Sequence, residues 1–199
     1  MSLTVAIDVD MTVVDVLQPW LKWMGVNHPE DYIRPQYQSI DGHYNKHLNE
    51  LYGVNEDKIN DFWSNADLYD HLDPMSGSQE YVEWLRRNNI DFYFLSVCYP
   101  GHFTSKFNFL KKHFGQDVKL IDANVCKSKY QYHLLVDDNP KVLQDVANSG
   151  IPAMLIQTNQ ITPKEHKLLS SGPQSAWIQH VDGFQEIIDQ TQKAKRILA

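Results

Sequence analysis

Two short apolar runs in this chain end in the same way. Leu3-Thr4-Val5-Ala6-Ile7 runs directly into Asp8-Val9-Asp10-Met11-Thr12, and far downstream Leu134-Leu135-Val136 runs into Asp137-Asp138-Asn139-Pro140. Each run has the length and aliphatic content of a buried strand, and after the second one Pro140 prevents the strand from continuing. A lone Asp-x-Asp at a strand end reads as a turn with capping carboxylates. Two such ends in 199 residues constrain the chain much more. They fit an open α/β sheet, in which separate strands finish side by side and ligands bind beyond their carboxyl ends.

Residues i and i+2 of a strand share a face, and where the strand frays the chain turns, so Asp8 and Asp10 can reach one small polar site. Neighbouring carboxylates repel unless a positive charge lies between them, and their hard oxygens suit Mg2+. A carboxylate can also attack phosphorus while a second carboxyl nearby serves as general acid and then base. Between the two acidic ends lies a third apolar strand, Phe92-Tyr93-Phe94-Leu95-Ser96, ending in a hydroxyl able to donate to a phosphate oxygen. Lys127, upstream of Asp137, is a candidate cation for the same oxygens.

Taken together, these residues resemble the haloacid dehalogenase-like (HAD) superfamily of phosphotransferases. Its motifs are Asp-x-Asp-x-[Thr/Val], an apolar strand ending in Ser or Thr, a Lys, and an acidic pair. Asp8 to Thr12, Ser96, Lys127 and Asp137-Asp138 stand in that order. Within the superfamily the chain is similar to the 5'(3')-deoxyribonucleotidases, including bacterial and phage forms. That likeness is carried by Asp15 closing the first motif, Phe62-Trp63 ahead of Leu72-Asp73-Pro74-Met75-Ser76-Gly77, Lys106-Phe107 leading to Lys112-His113-Phe114-Gly115, and Lys127-Ser128. Two departures stand out. Met11 occupies a position where many relatives have Gly, which implies a tighter or differently shaped loop. The phosphate-binding loop Val97-Cys98-Tyr99-Pro100-Gly101-His102 lacks the basic residues that vertebrate members carry there, leaving His102 or Lys106 as stand-ins.

The resemblance implies Mg2+-dependent hydrolysis of a nucleoside monophosphate, preferably a deoxyribonucleotide, in two steps through an aspartyl-phosphate. Asp8 is the nucleophile, and Asp10 protonates the leaving oxygen and then activates water. The metal is held by Asp8, the Asp10 main-chain carbonyl and the acidic pair, with Asp138 the inner ligand and Asp137 in support. Ser96, Val97 and Lys127 belong to the phosphate site, Thr12 supports the Asp loop, and Phe62 and Trp63 coincide with the aromatic position that packs against the base. Lys106 has two readings, reaching the phosphate or lying along its helix. The rival readings are a phosphatase for a non-nucleotide metabolite such as a sugar phosphate, and a catalytically weak module that senses nucleotides.

After Asp15 the hydrophobic period changes. Val16, Leu17, Trp20, Leu21 and Met24 recur at helical spacing, and Tyr44 to Tyr52 and Asp57 to Ser64 read as further helical pieces. Residues 16–74 are therefore expected to form a helical cap inserted after the first strand, with 1–15 and 75–199 as the catalytic core. From Gly77 strands and helices alternate: a helix through Tyr81 to Arg87, the Ser96 strand, a helix Phe103 to Phe114, and a strand Val118 to Ile121. The Asp137 strand, a helix Val142 to Asn148, a strand Ala153 to Ile156 and a last helix from Phe184 follow. This alternation predicts a Rossmann-like parallel sheet sandwiched by helices. The cap is rich in aromatics, including Trp20, Trp23, Tyr32, Tyr37 and Tyr44, and most of these read as cap core. His28, His43, His47, His71 and His113 show no metal-ligand spacing and read as surface or satisfied core residues.

A formal charge of -7 argues against nucleic acid as a partner, because backbone binding needs clustered Lys and Arg. A small nucleotide needs only a local positive site. No apolar run approaches the roughly 20 residues of a membrane span. Met1-Ser2 leads straight into the first strand, leaving no place for a signal peptide, so a cytoplasmic location is expected. Cys98 and Cys126 are expected as thiols in such a reducing compartment. Assembly, a homodimer being one option, depends on cap geometry that one sequence does not fix.

Overall fold

The apolar runs become the middle of a parallel sheet because they carry buried side chains on both faces. A computed structural model of the chain describes residues 2–16, 19, 56–156, 177–181 and 183–198. Among these, six strands form one all-parallel sheet: β1 (Thr4–Ile7), β2 (Asp91–Ser96), β3 (Leu120–Asp122), β4 (Leu134–Asp137), β5 (Ala153–Ile156) and β6 (Ile178–Val181). The described helices are α1 (Glu56–Trp63), α2 (Ser78–Arg87), α3 (Phe103–Phe114), α4 (Pro140–Asn148) and α5 (Phe184–Leu198). The strand order is β3-β2-β1-β4-β5-β6, so the direction of winding reverses between β1 and β4. In a doubly wound sheet that reversal opens a crevice at the carboxyl ends of the two strands.

Alternation along the strands divides the core in two. Val5, Ile7, Phe94 and Val136 pack on one face with Tyr81, Leu85, Phe109, Leu110 and Ile187 from α2, α3 and α5. Ala6, Leu95 and Leu135 pack on the other with Leu143 and Val146 of α4. Asn139 starts α4 by accepting from the main-chain N–H of Lys141 at 3.0 Å, with Pro140 in the first turn. Val14 and Pro74 form an antiparallel bridge and the Met75 N–H donates to the Val13 carbonyl at 2.8 Å, while Phe62, Trp63, Leu68 and Tyr69 pack into the same core as β1.

Several expectations are adjusted. The strand expected at Val118 to Ile121 begins two residues later. Val118 belongs to the turn that follows α3, its N–H reaching the Gly115 carbonyl, and pairing with β2 starts only at Phe94 opposite Leu120. β6 was not foreseen: an edge strand that carries Gln179 and His180 lacks the apolar run of a central one. The expected helix Asp57 to Ser64 corresponds to α1. The helical spacing from Leu17 to Met24, the piece Tyr44 to Tyr52, the aromatics Trp20, Trp23, Tyr32, Tyr37 and Tyr44, and His28, His43 and His47 lie outside the described residues. Among the described residues, no helix is long and apolar enough to cross a membrane.

Candidate active site

The parallel register aligns the two acidic strand ends. Ile7 pairs with Val136 on one side and with Phe94 on the other, so one step further Asp8 stands beside Asp137 and close to the end of β2. Beyond Asp8 the chain folds back at once: the Val9 carbonyl accepts from the N–H groups of Val13 (2.9 Å) and Val14 (3.1 Å). Met11 takes a left-handed conformation with φ of 59°. A glycine adopts that conformation without strain, whereas a side chain there costs about 1–2 kcal/mol. The loop therefore keeps a glycine-type turn at Met11, and burial of that side chain offsets part of the strain.

Asp8, Asp137 and Asp138 are all buried, and each offers a carboxylate oxygen within 4.8 Å of the others. Lys127 supplies the positive charge between them: its ammonium donates to Asp8 Oδ1 at 2.5 Å and to Asp137 Oδ2 at 2.7 Å. A single 3-10 turn (Lys127–Lys129) presents this lysine, anchored by the Tyr132 hydroxyl donating to the Lys127 carbonyl at 2.9 Å. Burial works against the Lys127 charge, but Asp137 and Asp8 outweigh it and hold the amine protonated well above the usual lysine range. The acids are less evenly treated. Burial pushes Asp8 up to about 7 against the pull of Lys127, and burial together with Asp137 and Asp8 pushes Asp138 well above the usual carboxylate range. Asp137 has both oxygens engaged, one by Lys127 and the other by the Asn139 N–H at 2.8 Å. Asp138 accepts only a 3.5 Å bond from Thr12 Oγ1 among the described residues. Three hard carboxylates, two of them on the Lys127 ammonium, are a donor set that fits a divalent metal, and Asp138 is the member with the most coordination capacity to spare.

Asp10 faces a second positive group. Lys106, fully buried on α3, donates to Asp10 Oδ2 at 2.6 Å, to Ser96 Oγ at 3.0 Å and to the Val97 carbonyl at 2.9 Å. Ser96 itself donates to Asp10 Oδ2 at 3.3 Å, and the Tyr69 hydroxyl donates to Asp10 Oδ1 at 2.5 Å. Burial pushes the Asp10 carboxyl up, but Lys106 and the Tyr69 hydroxyl more than reverse this, so it rests ionised below the usual range. Of the two readings of Lys106, lying along the helix surface is thus excluded: the amine points into the site.

The loop after β2 is tied down by the Cys98 N–H donating to Asp122 Oδ1 at 3.0 Å and by the Tyr99 N–H donating to His102 Nε2 at 2.6 Å. Val97 projects outward at 58% exposure and contributes its main chain to this loop. His102 is spent locally, its Nε2 accepting that bond from Tyr99. Burial, reinforced by Lys106, pushes it down to about 4, so the ring is neutral near pH 7. Burial also pushes the Cys98 thiol up to about 11, which leaves it protonated and a poor nucleophile; both cysteines are free thiols. Phe62 and Trp63 are buried at the end of α1. The Trp63 ring stacks on Tyr99 at 6.3 Å and meets His102 edge-on at 6.2 Å, which ties it to the loop after β2; Phe62 packs edge-on against Trp63 at 5.2 Å.

Gly101 sits where this loop presses on the end of α1. A Cβ placed on it would lie 2.3 Å from the Ser64 carbonyl oxygen, a backbone atom that cannot swing away. Gly101→Ala is expected to cost about 1–3 kcal/mol, read as a fall on the order of 2–12 °C in thermal unfolding. An unchanged melting temperature would show that the loop and the helix end are not pressed together in solution.

Asp8, Asp10, Thr12, Ser96, Val97, Lys106, Lys127, Asp137 and Asp138 thus converge on one crevice. Tyr69 was missed by sequence reasoning. It lies in a stretch of turns between α1 and Pro74, where a lone aromatic carries no signal beyond core packing.

No protein-family model matches the chain, and no curated protein matches it. Solved structures do. A haloacid dehalogenase-like family hydrolase from Xanthomonas campestris superposes with a TM-score of 0.54 at 10% identity, over 98% of this chain and 92% of the other. A HAD family hydrolase from Deinococcus radiodurans, solved with bound phosphate and sodium, gives 0.58 at 12% identity over 92% of each chain. An L-2-haloacid dehalogenase gives 0.52 at 14% identity, over 97% of this chain and 100% of the other. At these identities what is shared is the fold, an α/β Rossmann-like sheet of the haloacid dehalogenase type.

Proposed function

We propose that the chain is a member of the HAD superfamily that hydrolyses phosphate monoesters, using Mg2+ and an aspartyl-phosphate intermediate, with deoxynucleoside monophosphates as substrates. The observation that carries this reading is the Asp10 carboxylate, held by Tyr69 on one oxygen and by Lys106 and Ser96 on the other, two residues beyond the buried Asp8. A carboxyl fixed so firmly beside a nucleophile is suited to moving a proton at a defined place. The fold is shared with dehalogenases, but a halide departs as a stable anion and needs no proton. A nucleoside oxygen leaves far more readily once protonated, a benefit of typically 10²–10⁴-fold. The hold on Asp10 therefore favours an oxygen leaving group.

In this reading Asp8, with Oδ1 steadied by Lys127, attacks phosphorus through its other oxygen, while Asp10 passes a proton to the departing nucleoside oxygen. Asp10, a carboxylate once more, takes a proton from the water that then displaces Asp8. In the resting site Asp10 has the ionised form suited to that second step. A phosphate that draws Lys106 and Ser96 toward its own oxygens loosens the hold on Oδ2 and favours the protonated form needed for the first. Lys106, Ser96 and Lys127 hold the phosphoryl oxygens, where most stabilisation of phosphoryl transfer arises. Asp8, Asp138 and the Asp10 main-chain carbonyl would hold Mg2+, with Asp137 in support, and the ion would offset the charge developing on the phosphoryl group. The nucleotide preference is supported by Tyr99, the exposed ring of the aromatic group it forms with Trp63 and His102 beside the phosphate loop, since a ring stacked on a base contributes roughly 1–3 kcal/mol. A single small nucleotide is the partner, without nucleic acid or membrane.

The test is release of phosphate from a panel of deoxy- and ribonucleoside monophosphates and sugar phosphates, with Mg2+ and with EDTA, alongside chloride release from 2-chloropropionate. Release confined to deoxynucleotides and abolished by EDTA is the expected result. Sugar phosphates as the sole substrates would keep the mechanism and overturn the nucleotide preference. Chloride release without phosphate release would make the chain a dehalogenase, and no release of either kind would favour the sensing module.

A further inference from the structure

Tyr69 is fully buried, and its hydroxyl approaches Asp10 Oδ1 at 2.5 Å from the side opposite Lys106, which takes Oδ2 at 2.6 Å. The tyrosine has little freedom of its own. Its main-chain N–H donates to Ser105 Oγ at 2.9 Å, and that hydroxyl donates in turn to Asp70 Oδ1 at 2.6 Å. Ser105 is the residue before Lys106 on α3, so both holders of Asp10 are referred to one rigid helix. The ring is also packed, with its centroid 5.2 Å from the Lys106 ammonium, 5.3 Å from the His102 ring and 6.3 Å from the Phe109 ring. Asp10 by contrast stands on a loop, and its side chain is 21% exposed. Without a fixed donor on each oxygen its carboxylate could rotate about the bond to Cβ.

We propose that Tyr69 is a positioning residue for Asp10, keeping Oδ1 occupied so that Oδ2 is the oxygen that carries the proton in phosphoryl transfer. This inference rests on the reading of Asp10 as general acid and base. Oδ2 shares Ser96 and Lys106 with the place assigned to the phosphate, so it faces the leaving oxygen. In the first step the Asp8–phosphorus bond forms, the ester P–O bond breaks, and the proton moves from Asp10 Oδ2 to the departing oxygen. In the second step the water oxygen bonds to phosphorus, the Asp8–phosphorus bond breaks, and a water proton moves to Oδ2. Tyr69 keeps its own proton throughout and touches no substrate atom.

The discriminating experiment compares kcat/KM of Tyr69→Phe and wild type on two esters, a deoxynucleoside monophosphate and 4-nitrophenyl phosphate. For each, kcat/KM reports the steps up to departure of the leaving group. The nucleoside oxygen needs a proton to leave; 4-nitrophenolate does not. A misplaced acid should lower kcat/KM on the nucleotide about 10- to 100-fold and leave the nitrophenyl ester within about threefold, with the loss in kcat rather than KM. Equal losses on both esters would make Tyr69 a structural residue, and no loss on either would remove it from the reaction; both outcomes overturn the proposal. If Tyr69→Phe does not fold, Ser105→Ala loosens the tyrosine while keeping its hydroxyl. That variant should show the same selectivity at smaller size, and equal losses in it again overturn the proposal. A wild type inactive on both esters refutes the phosphatase reading itself, and the inference with it, before any variant is compared.

Discussion

Asp8→Asn should lower phosphate release from a nucleoside monophosphate by roughly 10⁴-fold or more, a loss of the size seen when a covalent nucleophile is removed. The amide has the shape of the carboxylate but no negative charge with which to attack phosphorus. Its carbonyl oxygen can still accept from Lys127, whose second partner, Asp137, is untouched. The fold should survive, because Asp8 is one of three buried acids that crowd one another, and a neutral side chain relieves repulsion there. The melting temperature of the chelated variant is accordingly expected to match or exceed that of wild type. Phosphate release within about tenfold of wild type, from protein of unchanged melting temperature, would sink Asp8 as the nucleophile.

The largest effect on stability is expected at Lys127. Its ammonium is nearly inaccessible, at 7% side-chain exposure, and lies within 2.7 Å of two buried carboxylates. Lys127→Met keeps the apolar stem and deletes the charge, leaving Asp8, Asp137 and Asp138 to face one another uncompensated. Removing one side of a buried ion pair typically costs about 3–5 kcal/mol; thermal unfolding in EDTA should show it as a drop on the order of 6–20 °C. A divalent cation supplies the missing charge, so Mg2+ should raise the melting temperature of the variant by more than it raises that of wild type. If the variant melts with wild type in EDTA, Lys127 is not what neutralises the cluster. If Mg2+ shifts neither protein, the three acids do not form a metal site.

Much of the candidate site is written locally. A strand end is a local event, an apolar run followed by acids and a turn former, so Asp8, Asp10, Ser96 and Asp137 could be placed at the carboxyl ends of strands from their immediate neighbours. The same holds for α3 and β5, whose limits follow from their own hydrophobic periods. Legibility fails where a residue's role depends on what the rest of the chain brings to it. Lys106 lies on a helix that also carries Lys111 and Lys112, and nothing nearby marks it as the buried one. It is drawn inward by Asp10, across 96 positions of sequence. His102 looks like a useful cation beside a phosphate loop, yet burial next to Lys106 keeps it neutral. Met11 occupies a position expected to need glycine, and the turn forms all the same because neighbouring main-chain bonds and burial hold it.

By itself the sequence determined that strands and helices alternate, that the sheet is parallel, and that acids, a hydroxyl and a lysine stand at its carboxyl edge, because short-range periodicity and turn chemistry are properties of adjacent residues. The tertiary structure alone decided which cation serves which acid. Lys127 goes to Asp8 and Asp137, Lys106 to Asp10, and Tyr69 to the remaining Asp10 oxygen, while Asp138 keeps the greatest capacity for a metal. Pairing of charges in a buried crevice is governed by distance in space and by the loss of water around each group. Neither quantity exists until strands far apart in the chain lie side by side.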